Sequence, residues 1–156
     1  MNKTETCKIS AICLTFFALF LIVVTDSSAA EYVSVIKDGI NIRSGPTTTS
    51  PVLWEVFEGF PYEVVERKDD WAKVKDFEGD SGWIYAPLLS DKKTVIVKVD
   101  SANMRSGPGK DSTVIATVKK GVVFDLVGRE GGWLQLNYKD NLTGWIYNTL
   151  LWPSNP

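Results

Sequence analysis

The chemistry available to this 156-residue chain rests on its carboxylates and its aromatics, because it has no histidine and its two cysteines, Cys7 and Cys13, lie near its start. From residue 14 onward there is no thiol nucleophile, no serine–histidine pair and no ordinary zinc ligand set. Three groups of acids come closest to a proton-transfer site: Asp69 with Asp70, Glu78 with Asp80, and Asp125 with Glu130. All fall at expected turns or strand edges, where solvated charge is ordinary, whereas acid–base work needs carboxylates shifted by burial or by neighbours. Asp76, Glu78 and Asp80 alternate as oxygen ligands for calcium could, yet they lack the glycine and the terminal glutamate of an EF-hand loop. The residues therefore suggest no enzyme, no metal and no cofactor.

The aromatics form a pattern, and the pattern is duplicated. Asn41-Ile42-Arg43-Ser44-Gly45-Pro46 returns as Asn103-Met104-Arg105-Ser106-Gly107-Pro108, an offset of 62 residues. The same offset carries Gly59 to Gly121, Trp71 to Trp133, and Gly82-Trp83-Ile84-Tyr85 to Gly144-Trp145-Ile146-Tyr147. Aligned without a gap, residues 33–89 and 95–151 share 21 of 57 positions. An offset constant over that length marks one structural unit present twice. Binding aromatics are expected at Trp54, Tyr62, Trp71 and Tyr85 in the first unit, and at Phe124, Trp133 and Tyr147 in the second. Arg43 and Arg105 fall out of phase with the neighbouring apolar residues, and a planar five-donor guanidinium suits pinning the following loop through backbone carbonyls. Trp71 and Trp133 fit either a core or a groove wall. Trp83 and Ile84 point to opposite faces of one strand, so at most one is in the core.

Where the units differ, another logic applies. Trp54 and Phe57 align with Ala116 and Lys119, so the fold itself does not need aromatics there. Packing against the neighbouring unit, contact with a ligand, and simple exposure all fit these two residues. The first loops differ as well, Thr47-Thr48-Thr49 against Gly109-Lys110-Asp111. If these loops bind, the two units should not bind the same thing.

The elements that must position these residues read as short strands, with no amphipathic helix. Residues 33–35 and 40–43 alternate apolar with polar around Asp38-Gly39, a dipeptide suited to a tight hairpin turn. Further strands are expected over 52–56, 62–67, 71–75 and 82–85, with Asp69-Asp70 as a hairpin tip and one helical turn at Pro87-Leu88-Leu89. The tip aligns with Gly131-Gly132, so its position tolerates positive φ. Five or six short strands in about 60 residues, joined by Gly, Asp and Asn turns, form a small antiparallel β-barrel or sandwich. Gly45, Gly59 and Gly82 read as backbone requirements. The link Ser90-Asp91-Lys92-Lys93-Thr94 is too short for free tumbling, so the units should touch, with Trp152 placed to cover an end.

Residues 1–30 are set apart as a leader. Lys3 and Lys8 precede an uncharged run from Ile9 to Val24, and Ser28-Ala29-Ala30 has the small residues of a signal-peptidase site. The expectation is a cleaved signal peptide with Glu31 as the new N-terminus; the alternative is an uncleaved anchor helix. Lys3 and Lys8 cancel Glu5 and Asp26, so the remainder keeps the whole chain's net charge of −2. That balance argues against nucleic acid as a partner. No membrane contact is expected beyond the leader. Asn141-Leu142-Thr143 fits a glycosylation acceptor, a pattern of low specificity.

The order Asn-x-Arg-Ser-Gly-Pro, a glycine turn, Trp-x-x-Val/Leu, then Gly-Trp-Ile and Leu-Leu resembles the bacterial Src-homology-3-like (SH3) domain family. The resemblance covers both repeats and implies an all-β chain of two tandem SH3-like barrels, over 31–90 and 94–152. It implies an exported binding module, periplasmic or extracellular, whose partner is cell-wall glycopeptide (peptidoglycan) or a peptide or protein of the envelope. Aromatics beside a polar loop would stack on an extended peptide or a sugar face. The competing expectation is an adaptor or scaffold subunit of an envelope complex, its aromatics serving a protein interface. Domains of this family often accompany wall-cleaving catalytic domains, for which no residues remain here.

Overall fold

A computed structural model describes residues 29–139 and 141–156. The expectations for the leader over residues 1–28 lie outside the described residues. Among the described residues, no helix is long and apolar enough to cross a membrane.

The first unit runs β1 (Glu31–Val35), β2 (Ile40–Arg43), β3 (Val52–Val56), β4 (Pro61–Lys68), β5 (Trp71–Lys75) and β6 (Ser81–Tyr85), then a 3₁₀ turn over Ala86–Leu88 and β7 (Leu89–Ser90). These seven strands form one antiparallel sheet in the order β3-β2-β6-β5-β4-β1-β7. Alternation sends Val33, Val35, Ile40, Ile42, Val56, Tyr62, Ala72, Val74 and Ile84 to a single buried cluster. Because strands from both ends of the sheet share that cluster, the sheet curls around it as a small barrel. Bulges make the curl possible. One lies between Val64 and Glu66 on β4, which can then pair with β1 through its first half and with β5 along its length.

The second unit repeats this plan with β8 (Thr94–Val97), β9 (Ser101–Arg105), β10 (Val114–Lys119), β11 (Val123–Glu130), β12 (Trp133–Tyr138), β13 (Leu142–Tyr147), a 3₁₀ turn over Asn148–Leu150 and β14 (Leu151–Trp152). Its order, β10-β9-β13-β12-β11-β8-β14, matches the first, and its β11 bulge between Leu126 and Gly128 lies 62 residues after that of β4. The fold is thus all-β in two tandem SH3-like units. Each has seven strands rather than five or six, because a two-residue strand follows each 3₁₀ turn.

The hairpin expected at Asp38-Gly39 does not form. Gly39 turns with a φ of 75°, but β1 already has β4 on one edge and β7 on the other, leaving no edge for β2. The turn is used differently: Asp38 Oδ1 accepts from the Glu58 amide at 2.8 Å, tying it to the β3–β4 turn. β2 instead pairs with β3 and meets β6 at Arg43 opposite Trp83. At that crossing a Cβ on Gly82 would lie 2.3 Å from Ile42 Cγ2 and 3.1 Å from the Arg43 carbonyl oxygen, so only glycine fits. Gly144 repeats the constraint against Met104 and Arg105.

The units do touch. Thr94 Oγ1 donates to the Gly59 carbonyl at 2.7 Å, Ser34 Oγ to the Lys92 carbonyl at 2.9 Å, and Lys93 Nζ to the Tyr32 carbonyl at 3.0 Å. Trp152 sits edge-on to Tyr32 with ring centroids 5.6 Å apart, covering the junction from the second unit.

Candidate functional site

The most chemically organised surface in each unit is a groove beside the loop that follows the repeated hexapeptide. In the first unit that loop is held from below: Arg43 Nη1 donates to the Ser50 carbonyl at 2.8 Å, and the Ser44 amide donates to the Pro51 carbonyl at 3.0 Å. Arg105 Nη1 reaches the Ser112 carbonyl at the same 2.8 Å, and the Ser106 amide reaches the Thr113 carbonyl at 2.9 Å. The guanidinium supplies the loop with a donor where the strand ladder ends.

The facing wall is aromatic. Trp71 on β5 and Tyr85 on β6 are direct cross-strand partners, with ring centroids 5.8 Å apart at 63°. Trp133 and Tyr147 repeat the pair at 5.3 Å and 66°. This edge-to-face geometry suits the aromatic quadrupoles and leaves ring surface open, since Tyr85 and Tyr147 are exposed and both tryptophans half-buried. Trp71 and Trp133 are therefore groove walls rather than core.

Loop and wall enclose a groove of about 340 Å³ in the first unit, lined by Gly39, Ile40, Asn41, Arg43, Thr48, Trp71, Tyr85 and Leu88. The groove of the second unit, of about 500 Å³, is lined by Ser101, Ala102, Asn103, Arg105, Lys110, Trp133, Tyr147 and Leu150. Each residue of the second set lies 62 positions after its counterpart in the first. Five pairs are identical, and three differ: Gly39 against Ser101, Ile40 against Ala102, and Thr48 against Lys110.

Of the aromatics expected to bind, the structure gathers Trp71 and Tyr85 with Arg43, and Trp133 and Tyr147 with Arg105. Tyr62 and Phe124 lie elsewhere. Both are buried in the cores of their barrels, where they have no surface to offer a ligand. Trp54 is half-buried against the first core and donates from Nε1 to Tyr62 Oη at 3.2 Å, which accounts for an aromatic that the second unit does without. Phe124 has no hydroxyl to satisfy, and its unit has Ala116 where the first has Trp54. Burial pushes the Tyr62 hydroxyl well above the usual phenol range, and the Trp54 bond pulls the other way. Phe57 stays exposed, edge-on to Phe60 at 5.5 Å.

Sequence reasoning missed Asn41 and Leu88 as groove residues. Their signal is that both recur unchanged as Asn103 and Leu150 while many of their neighbours change.

The acids remain structural. Asp76 Oδ1 accepts from the Glu78 amide at 2.9 Å and the Asp80 amide at 3.0 Å, which folds the turn between β5 and β6. Glu78 pairs with Lys120 of the other barrel at 2.7 Å and holds the ammonium above its usual range. Among the described residues, no three metal-binding side chains converge.

A larger cleft of about 640 Å³ lies between the barrels, lined in part by Asp38, Phe57, Lys92, Asp125 and Lys139. Its charges are partly spent internally, Lys92 on Asp125 at 2.8 Å and Asp38 on the Glu58 amide. Its two aromatics, Phe57 and Tyr138, come one from each barrel and form no stacked pair, and among the described residues the cleft has no repeat. The twin grooves are the better site despite their smaller volume.

Comparison with known proteins agrees with the repeat. The family model described as bacterial SH3 domain matches the chain twice, at residues 37–91 and 98–153. Across 94% of its length the chain is 27% identical to YrvJ of Bacillus subtilis (strain 168), provisionally named an N-acetylmuramoyl-L-alanine amidase, and it spans 30% of that protein. Among solved structures, NlpC2 from Trichomonas vaginalis is 19% identical over 79% of this chain and 48% of its own, with a TM-score of 0.33. The structure described as endolysin LysPBC5 CBD is 17% identical over 82% of this chain and 96% of its own, with a TM-score of 0.32.

Proposed function

We propose, of a chain that belongs to the bacterial SH3 domain family, that it is an exported, non-enzymatic module binding cell-wall glycopeptide through its two grooves. The carrying observation is the recurrence of one groove, eight positions for eight, around an edge-stacked Trp–Tyr pair and an arginine-pinned loop. An extended peptide or a sugar ring laid in such a groove covers the indole face. It also finds polar partners in Asn41 or Asn103 and in the loop backbone. The match to a protein provisionally named an N-acetylmuramoyl-L-alanine amidase supports the wall as the partner and the periplasm or exterior as the place of action. Residues 14–156 contain neither thiol nor imidazole, and the best-formed acid cluster is spent on a turn, which supports binding without catalysis.

Co-sedimentation of the purified protein with isolated cell-wall sacculi, at low and at high salt, tests this reading. Binding should survive high salt, because a stacking groove depends little on long-range charge. Trp71→Ala and Trp133→Ala should each weaken binding at least about tenfold while near-ultraviolet dichroism shows a folded protein. Failure to sediment at either salt would remove the wall as the ligand and leave an adaptor of an envelope protein complex, to be sought by crosslinking.

A further inference from the structure

The two grooves share their walls but not their charge. None of the residues lining either groove is acidic, and each groove has one arginine already committed to a loop carbonyl. The second groove adds Lys110, exposed at its rim where the first has Thr48. Thr48 is neutral, and Thr47, Thr49 and Ser50 beside it bond to one another, Thr47 Oγ1 meeting Thr49 Oγ1 at 3.1 Å and Ser50 Oγ at 2.7 Å. Among the described residues Lys110 has no ion-pair partner, unlike Lys75, Lys92 and Lys120. Ala102 stands in place of buried Ile40 and exposed Ser101 in place of Gly39, and the second groove is the larger, about 500 Å³ against about 340 Å³.

We infer that the second groove selects a carboxylate-bearing segment of the peptide ligand, held by Lys110, while the first accepts an uncharged segment. The tandem then reads two different features rather than one feature twice. This rests on the groove being the ligand site, as proposed above. An ammonium at the rim of an aromatic groove, with no ion-pair partner among the described residues, attracts a ligand carboxylate without breaking an existing pair there. An exposed pair of this kind is screened and modest, about two- to fivefold in affinity, enough for preference and not for exclusivity.

The test follows the indole Nε1–H signals of Trp71 and Trp133 by NMR, one reporter for each groove, in the full chain. The probes are a disaccharide tetrapeptide with free carboxylates and the same molecule with those groups converted to amides. The acid form should shift the Trp133 signal at about two- to fivefold lower concentration than the amide form at low salt, with the difference fading at high salt. Trp71 should respond alike to both. In Lys110→Thr the Trp133 preference for the acid form should vanish, and Thr48→Lys should give Trp71 the same preference. Equal response of Trp133 to both probes would overturn the charge selection and leave the groove reading intact. If the probes move neither indole, the groove reading falls and the selection falls with it.

Discussion

Tyr62 and Phe124 occupy the same place in their barrels and differ by one hydroxyl, which in the first barrel is met by the indole of Trp54. A buried hydroxyl costs free energy unless it is bonded, so Trp54 is best understood as part of the core's polar accounting. Tyr62→Phe should destabilise the protein by about 0.5–1.5 kcal/mol at neutral pH, because the indole N–H, half-exposed, can turn to water. The same substitution has a distinct signature in alkali. Burial raises the folded-state pKa of Tyr62, whereas the unfolded phenol titrates near pH 10. Above that pH the unfolded chain gives up a proton that the folded chain keeps, so stability present below about pH 10 is lost as pH rises. Lys75 and Lys120, held above their usual range by Glu63 and Glu78, act in the same direction but are exposed and screened. Urea midpoints at pH 8 and pH 11 should therefore converge for wild type and Tyr62→Phe, the wild type losing about 1 kcal/mol more between them. An unchanged gap would place the hydroxyl in contact with water.

At the scale of elements, the crossing of β2 over β6 governs the groove, because it fixes Arg43 opposite Trp83 and so aims the guanidinium at the Ser50 carbonyl. Gly82→Ala would drive a methyl into Ile42 and the Arg43 carbonyl and should cost about 1–3 kcal/mol by urea denaturation. Arg43→Ala should act more locally. The amides of Ser44 and Ser50, bonded to Pro51 and Thr47, should lose hydrogen-exchange protection while the amides of β5 keep theirs. Loss of protection throughout the barrel would make the arginine a global rather than a local support. The strands were legible because alternation and glycine turns are local signals, and duplication showed which residues the fold repeats. Trp71 and Tyr85 stood among four candidate aromatics, but only the register of β5 against β6 makes them a pair. The pairing of β1 was not legible, since Asp38-Gly39 reads the same whether its flanking strands meet or part, and distant β4 and β7 decide it. The inward position of Tyr62 does have a signal in the sequence: a Tyr that becomes Phe in its twin marks a ring the core needs more than its hydroxyl.

For the whole molecule, the junction between the barrels includes buried polar side chains. Ser34 and Thr94 are buried polar residues; Ser34 spends its hydroxyl on the Lys92 carbonyl of the link, and Thr94 spends its own on the Gly59 carbonyl of the other barrel. Such bonds cost more to lose than exposed ones, because the orphaned carbonyl keeps its desolvation penalty. The Lys120–Glu78 pair is exposed on both sides and should add little. The two grooves are then held at one spacing, so a ligand filling both gains avidity only if its own features match that spacing. Thr94→Val keeps the shape of the side chain and removes its donor to Gly59, which should loosen the junction while leaving both cores untouched. Residual dipolar couplings should fit a single alignment tensor for both barrels in the wild type and require two in Thr94→Val. Lys120→Ala should keep the single tensor. Should Lys120→Ala be the variant that separates the tensors, surface charge would be what aligns the barrels, and their relative orientation would then depend on salt.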